Sequence, residues 1–189
     1  MNLFNLVNLI DKKISPLRIE ANLCPQTISP KSNCHKCLDV CPKKSITISH
    51  GKIEMDDSCI NCGLCSTVCP TNAIYAEKPS FLEILNETAR KCKNKSDVYI
   101  QCQNKRSTLS SSSTVTVRCF GAIPREGWLT LLNDYDHLSI YCTKDQCEQC
   151  EVTSGYHIWK KELGAAETMS GKSMNIVDDV RSKRNETVY

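Results

Sequence analysis

Aromatic residues are scarce in this chain: Phe, Trp and Tyr together make up 6% of its 189 residues. So few large rings limit the apolar area of any core, and stability must draw on another source. No Gly-x-Gly-x2-Gly run, phosphate-cradling Gly-rich loop or Ser/His/Asp pattern beyond chance is present, which removes nucleotide-dependent chemistry and triad hydrolysis as first readings. Long hydrophobic runs are missing as well. The apolar start carries no positive charge ahead of it and is stopped by Asp11, Lys12 and Lys13, so it reads as neither a secretory leader nor a membrane span. Leu3, Leu6, Val7 and Ile10 instead recur at helical spacing, predicting an amphipathic helix over residues 1–13 that docks on a core, a membrane surface or a partner. A net charge of +3 is too small to argue for nucleic acid.

Cysteine, by contrast, is abundant, with fourteen in the chain. Such usage fits a disulfide scaffold or a metal protein, and without a leader the expected setting is a reducing cytoplasm where cysteines serve as thiolate ligands. Their spacing is specific. Cys59-x2-Cys62-x2-Cys65-x3-Cys69-Pro70 places three thiolates on one tight loop with a fourth beyond it, as a cubane 4Fe–4S cluster requires. An altered copy stands just upstream as Cys34-x2-Cys37-x3-Cys41-Pro42. Between the copies, Ser45–Ile48 and Lys52–Met55 are short β-prone runs around His50-Gly51, predicting a hairpin. An all-zinc reading is disfavoured, because tetrahedral zinc uses separated Cys-x2-Cys pairs rather than a triple run. His35 and His50 read as surface or turn residues.

In this order of loop, Cys-Pro, hairpin, loop and Cys-Pro, residues 14–78 resemble the bacterial-type dicluster ferredoxins. The resemblance implies a pseudo-two-fold domain in which Cys69 and Cys41 each cross to the other cluster. One 4Fe–4S cluster then falls to Cys59, Cys62, Cys65 and Cys41, and the second to Cys34, Cys37 and Cys69 with one ligand to find. At that fourth corner the family pattern expects a cysteine where Lys31 stands. Cys24, carried by a loop insertion, is the candidate; a labile three-cysteine cluster and a free Cys24 are the alternatives.

Beyond this region, Phe81, Leu82, Ile84, Leu85 and Ala89 have helical spacing after Ser80, a candidate cap, and predict a connector helix over 79–95. Its basic end, Arg90, Lys91, Lys93 and Lys95, reads as solvated or as a docking patch for an acidic redox partner. Residues 96–168 predict a small α/β domain. Runs ending in Cys102, Cys119 and Cys142, with a Leu-rich helix over Pro124–Asn133 between the second and third, suggest parallel strands. Tyr156–Ala166 reads as a closing helix, Ser107–Ser113 as a polar loop, and 169–189 as a disordered polar tail.

Cysteines ending neighbouring parallel strands converge on the crevice where open α/β sheets bind ligands. Cys147-x2-Cys150 adds a thiolate pair on the loop that follows. The predicted site is Cys102, Cys119, Cys147 and Cys150, with Cys142 as the alternative ligand, holding a third iron–sulfur cluster or zinc, or else working as a redox dithiol. Cys119-Phe-Gly-Ala-Ile-Pro124 and Cys147-x2-Cys150 resemble the cysteine-rich part of multi-cluster iron–sulfur proteins and, distantly, hydrogenase delta subunits. The likeness implies a further metal centre. Cys92, His137 and His157 read as structural. The fold class expected is α+β: a ferredoxin-like dicluster domain followed by a small α/β domain with a mainly parallel sheet. The expected function is single-electron transfer to or from a redox partner such as a dehydrogenase, reductase or hydrogenase, by a free carrier or a small subunit. The alternative is an enzyme component whose later cysteines bind substrate or exchange disulfides.

Overall fold

A computed structural model describes residues 16–29, 31–94, 97–103 and 111–178. The helix expected over residues 1–13, Lys95, residues 107–110 and 179–189 lie outside the described residues.

The first unit is a pair of two-stranded antiparallel sheets around two short helices. β1 (Leu17–Ile19) pairs with β4 (Ile74–Ala76), joining the two ends of the unit in the register Leu17 to Ala76 and Ile19 to Ile74. β2 (Ile46–Ser49) and β3 (Lys52–Met55) form the expected hairpin. Its turn residues His50 and Gly51 both take positive φ, 50° and 72°, as a two-residue turn matched to strand twist requires. Alternation places Ile46, Ile48, Ile53 and Met55 on one face, where Ile46 and Ile53 join Leu17 and Ile74 in a small core.

The internal duplication extends to the backbone. Helix α1 (Pro25–Ile28) precedes the first ligand loop. Helices α2 (Lys36–Val40) and α3 (Leu64–Val68) end at Cys41 (φ −71°, ψ 112°) and Cys69 (φ −73°, ψ 113°). A following proline excludes helical geometry from each cysteine. Three residues on, Lys44 and Asn72 both adopt left-handed φ, at 52° and 56°. Each chain turn thus swings the Cys-Pro cysteine away from its own loop.

The second unit is a four-stranded parallel sheet ordered β6-β5-β7-β8, made of β5 (Val98–Cys102), β6 (Thr114–Val117), β7 (Leu138–Tyr141) and β8 (Asn175–Val177). β7 is buried along its whole length, the pattern of a central parallel strand covered on both faces. Helices α4 (Phe81–Cys92), α5 (Arg125–Asp134), α6 (Lys144–Glu148) and α7 (Gly155–Ser170) complete the unit. The core holds Val98, Ile100, Val115, Trp128, Ile140 and Trp159. α4 starts in a capping box: Ser80 Oγ accepts from Glu83 N at 3.2 Å, and Ser80 N donates to Glu83 Oε2 at 2.7 Å. Its Ile84 enters the second core, so the helix packs on β5 and β6 as part of that unit.

Two expectations need correction. Residues 169–178 are structured: α7 runs to Ser170, Gly171 caps it at φ 70°, and Asn175–Val177 adds a strand beside β7. Buried Met174 anchors this return, its N–H donating to Glu167 Oε1 at 2.8 Å. Lys91 is not solvated. It is buried, pairs with Glu87 at 2.8 Å and donates to the carbonyls of Ser111 (2.8 Å) and Thr114, so its charge staples α4 to the chain entering β6.

Candidate metal centres

All fourteen cysteines are free of disulfides, and thirteen of them gather around three cavities. Cys41, Cys59, Cys62 and Cys65 line the first, together with Leu17, Ile46 and Leu64 among others. Cys41 reaches it from the other ligand loop because the Pro42 turn directs it there. Backbone N–H groups already point at sulfur: Asn61 N lies 3.4 Å from Cys59 Sγ and Ser45 N 3.4 Å from Cys41 Sγ. Burial pushes the Cys65 thiol up to about 12, and the neighbouring Cys62, Cys59 and Cys41 push in the same direction. Four thiolates packed this way need positive charge between them.

The second cavity is lined by Cys24, Cys34, Cys37 and Cys69 with Ile53 and Ile74. Cys69 here mirrors Cys41 and receives the Ala73 N–H at 3.2 Å. For both crossing cysteines burial would raise the thiol pKa, yet hydrogen bonds outweigh it and hold the pKa below the ordinary thiol value. Those bonds come from the Ser45 side chain and backbone at Cys41, and from Ile74, Thr71 and Ala73 at Cys69. Burial raises Cys37 to about 11, followed by the charges of Cys24 and Cys69. Cys24, 5% exposed, sits at the start of α1 with Pro25 in the first helical position. Gln26 Nε2 donates to Cys34 O at 3.0 Å and ties the inserted loop to the first ligand loop. Lys31 is exposed. The position where the family pattern expects a cysteine therefore faces solvent, while Cys24 faces the cavity.

Cys102, Cys119, Cys142, Cys147 and Cys150 line the third cavity, together with Arg118, Phe120, Gln146 and Val152. Cys102 ends β5, and Cys119 and Cys142 lie just past β6 and β7. The site therefore opens at the carboxyl edge of three adjacent parallel strands. α6 carries Cys147 across its mouth. Burial pushes Cys119 up to about 12, and the charges of Cys147, Cys62 and Cys102 add to the effect. Cys92 stays apart on α4, packed against the second core. His35, His50, His137 and His157 are exposed; His35 bonds Asn33 O at 2.7 Å and pairs with Asp39.

The sequence reading missed Arg118. Its guanidinium donates to Asn61 O at 3.4 Å and Lys78 O at 3.0 Å. Burial lowers its pKa, while the charges of Cys59 and Cys62 raise it. It lies between the first and third cavities, and only its place beside Cys119 could have pointed to it. Ser154 Oγ, donating to Val40 O at 2.8 Å, and the Lys43–Glu151 pair at 3.0 Å also bind the two units together.

Among the described residues, no group of three or more His, Cys, Asp or Glu side chains is arranged to hold a single metal ion. The thiols instead line the three cavities in sets of four or five. Soft thiolate sets without histidine suit iron–sulfur clusters, and the N–H groups aimed at sulfur fit the same cargo. Among the described residues, no helix is long and apolar enough to cross a membrane.

Comparison with known proteins agrees for the first unit. A 4Fe-4S binding domain family matches residues 54–75. A "Ferredoxin 7Fe" from Hydrogenibacillus schlegelii is 45% identical over 42 residues, covering 22% of this chain and 54% of the relative. An uncharacterised ferredoxin of Methanocaldococcus jannaschii is 35% identical over 48 residues, covering 24% and 77%. A ferredoxin of Alicyclobacillus acidocaldarius is 42% identical over 43 residues, covering 22% and 55%. The chain thus spans about half the length of two of these relatives and about three quarters of the third. No solved structure matches the chain.

Proposed function

The chain belongs to the bacterial-type 4Fe–4S ferredoxin family, and from that premise we propose that it carries single electrons through two interlocked 4Fe–4S clusters. Cys41, Cys59, Cys62 and Cys65 would hold one cluster; Cys24, Cys34, Cys37 and Cys69 would hold the other. When bound, each cluster accepts and releases one electron. The observation that carries the reading is the exchange of cysteines: Cys41 lines the cavity of the second ligand loop and Cys69 that of the first.

The chain's own residues supply the rest. The N–H groups of Ser45, Asn61 and Ala73 donate to ligand sulfurs and offset the extra negative charge of a reduced site. Leu17, Ile46 and Leu64 at one cavity, with Ile53 and Ile74 at the other, keep water from the sulfurs. Gly63, at φ 83°, begins α3 in a conformation that a side chain resists. The exchange of ligands keeps the two cavities side by side, so electrons can hop between them. The partner is a redox protein such as a dehydrogenase, reductase or hydrogenase, met in a reducing cytoplasm, with this chain as a free carrier or a fixed subunit.

Anaerobic reconstitution followed by EPR-monitored redox titration tests the reading. Two one-electron signals that broaden each other in the fully reduced chain are expected, and a single isolated signal would oppose it. A second reading comes from Lys31, which is exposed where the pattern expects a ligand, and from the relative whose name specifies 7Fe. In it, Cys34, Cys37 and Cys69 hold a three-iron cluster without Cys24. Mössbauer spectra separate the two, because only the second reading includes a three-iron component that is insensitive to Cys24→Ser.

A further inference from the structure

The second core is built from Val98, Ile100, Trp128, Leu131 and Trp159, while five cysteines from four separate chain segments meet at its edge. Two glycines make the close packing there possible. A Cβ on Gly155 would stand 2.8 Å from Cys119 Sγ, and one on Gly121 would stand 2.9 Å from Gly155 O and 2.6 Å from Leu64 Cδ2. Each distance is shorter than real side chains tolerate. The two glycines thus let α7 and the Cys119 turn pack closely on each other and on Leu64 of the Cys59–Cys65 loop. Leu64, Cys119 and Val152 form one apolar cluster, with Cys62 and Cys150 packed against it. Arg118 adds a positive charge at the cavity wall, which suits a set of thiolates.

We propose that Cys102, Cys119, Cys147 and Cys150 hold a third iron–sulfur cluster in this cavity, packed against the ligand loop of the Cys41/Cys59/Cys62/Cys65 site. Cys142 is the one set aside. Its Sγ is turned toward its neighbour's carbonyl, donating to Thr143 O at 3.4 Å. It also lies in hydrogen-bond contact with Cys147. The site stands by itself. Only its place as a third station, beside Cys62 rather than beside the Cys24 cavity, rests on the two-cluster reading. The order along the molecule is then the C-terminal centre, the Cys59 loop centre and the Cys24 centre.

The test uses the full chain reconstituted anaerobically with iron and sulfide, as wild type, Cys147→Ser/Cys150→Ser, Cys102→Ser and Cys142→Ser. Both Cys147→Ser/Cys150→Ser and Cys102→Ser should lose about two to four irons per chain, with matching acid-labile sulfide, and one spectroscopic component. The remaining components should be those that Cys24→Ser and Cys59→Ser alter. Cys142→Ser should retain the full iron count. Agreement of the two lesions guards against one variant failing only because its local structure is lost. An iron count unchanged in both lesions overturns the proposal. So does one zinc per chain that both lesions remove, or a Cys142–Cys147 disulfide that forms on mild oxidation while the iron count stays the same. A wild-type chain that carries the component lost in both lesions but lacks the N-terminal pair would strike the two-cluster reading and leave this one standing.

Discussion

Gly121→Ala should loosen the junction between the two units. Gly121 lies in the short 3-10 turn Phe120–Ala122, which packs on α3 and α7. A methyl there meets Leu64 Cδ2 at 2.6 Å and the backbone oxygen of Gly155 at 2.9 Å. The first contact is not easily relieved: Leu64 is 0% exposed and lies between Cys62 and Cys65, so moving it disturbs a ligand loop. The second is backbone, and relieving it means shifting α7 away from the turn. Overpacking of this kind costs about 1–3 kcal/mol, roughly a 5- to 150-fold shift toward the open form at 1.36 kcal/mol per decade. Gly164→Ala is the matched control. It lies within α7 with nothing within 4 Å of the added methyl, so it should stabilise the chain by about 0.5–1 kcal/mol through helix propensity. The assay is denaturant unfolding of the cluster-loaded chain, followed by loss of its visible charge-transfer absorbance. The reasoning fails if Gly121→Ala is as stable as wild type, or if both alanines shift the midpoint in the same direction.

Two further outcomes follow from named contacts. Ser80→Ala removes one arm of the capping box at α4 and should cost about 1 kcal/mol, read as a lower denaturation midpoint with cluster spectra unchanged. Arg118→Gln removes a positive charge beside Cys59 and Cys62; an anionic reduced site loses that support, so the midpoint potential of the Cys59 loop site should fall by roughly tens of millivolts, and by more than that of the Cys24 site, as expected at a high effective dielectric. A rise, or equal shifts in every component, would contradict that placement of Arg118.

Local signals were readable in the chain, and non-local ones were not. The hairpin came from two alternating runs around His50-Gly51, and the α4 start from Ser80, because each rests on neighbours in sequence. Three runs ending in cysteine gave the parallel strands and located the third cavity. Cys24 was found by asking what could replace Lys31, although the reason it reaches the cavity, a turn of helix begun by Pro25, lies in structure. β8 escaped notice because three residues with mixed exposure carry no period, and its pairing depends on Met174 and on the Gly171 cap. Lys91 looked solvated among other basic residues; its carbonyl partners, Ser111 and Thr114, lie some twenty positions along the chain. Arg118 acts on a loop far from it in sequence, and composition holds no trace of that contact.

The exchange of Cys41 and Cys69 between loops is the central claim, and a grouping of single variants measures it. EPR and Mössbauer spectra of the reduced full chain would be compared for Cys24→Ser, Cys69→Ser, Cys41→Ser and Cys59→Ser. The account predicts that Cys69→Ser alters the same component as Cys24→Ser, and that Cys41→Ser alters the same component as Cys59→Ser. If Cys69→Ser instead alters the component lost in Cys59→Ser, each loop serves only its own cluster and the interlocked pair is wrong.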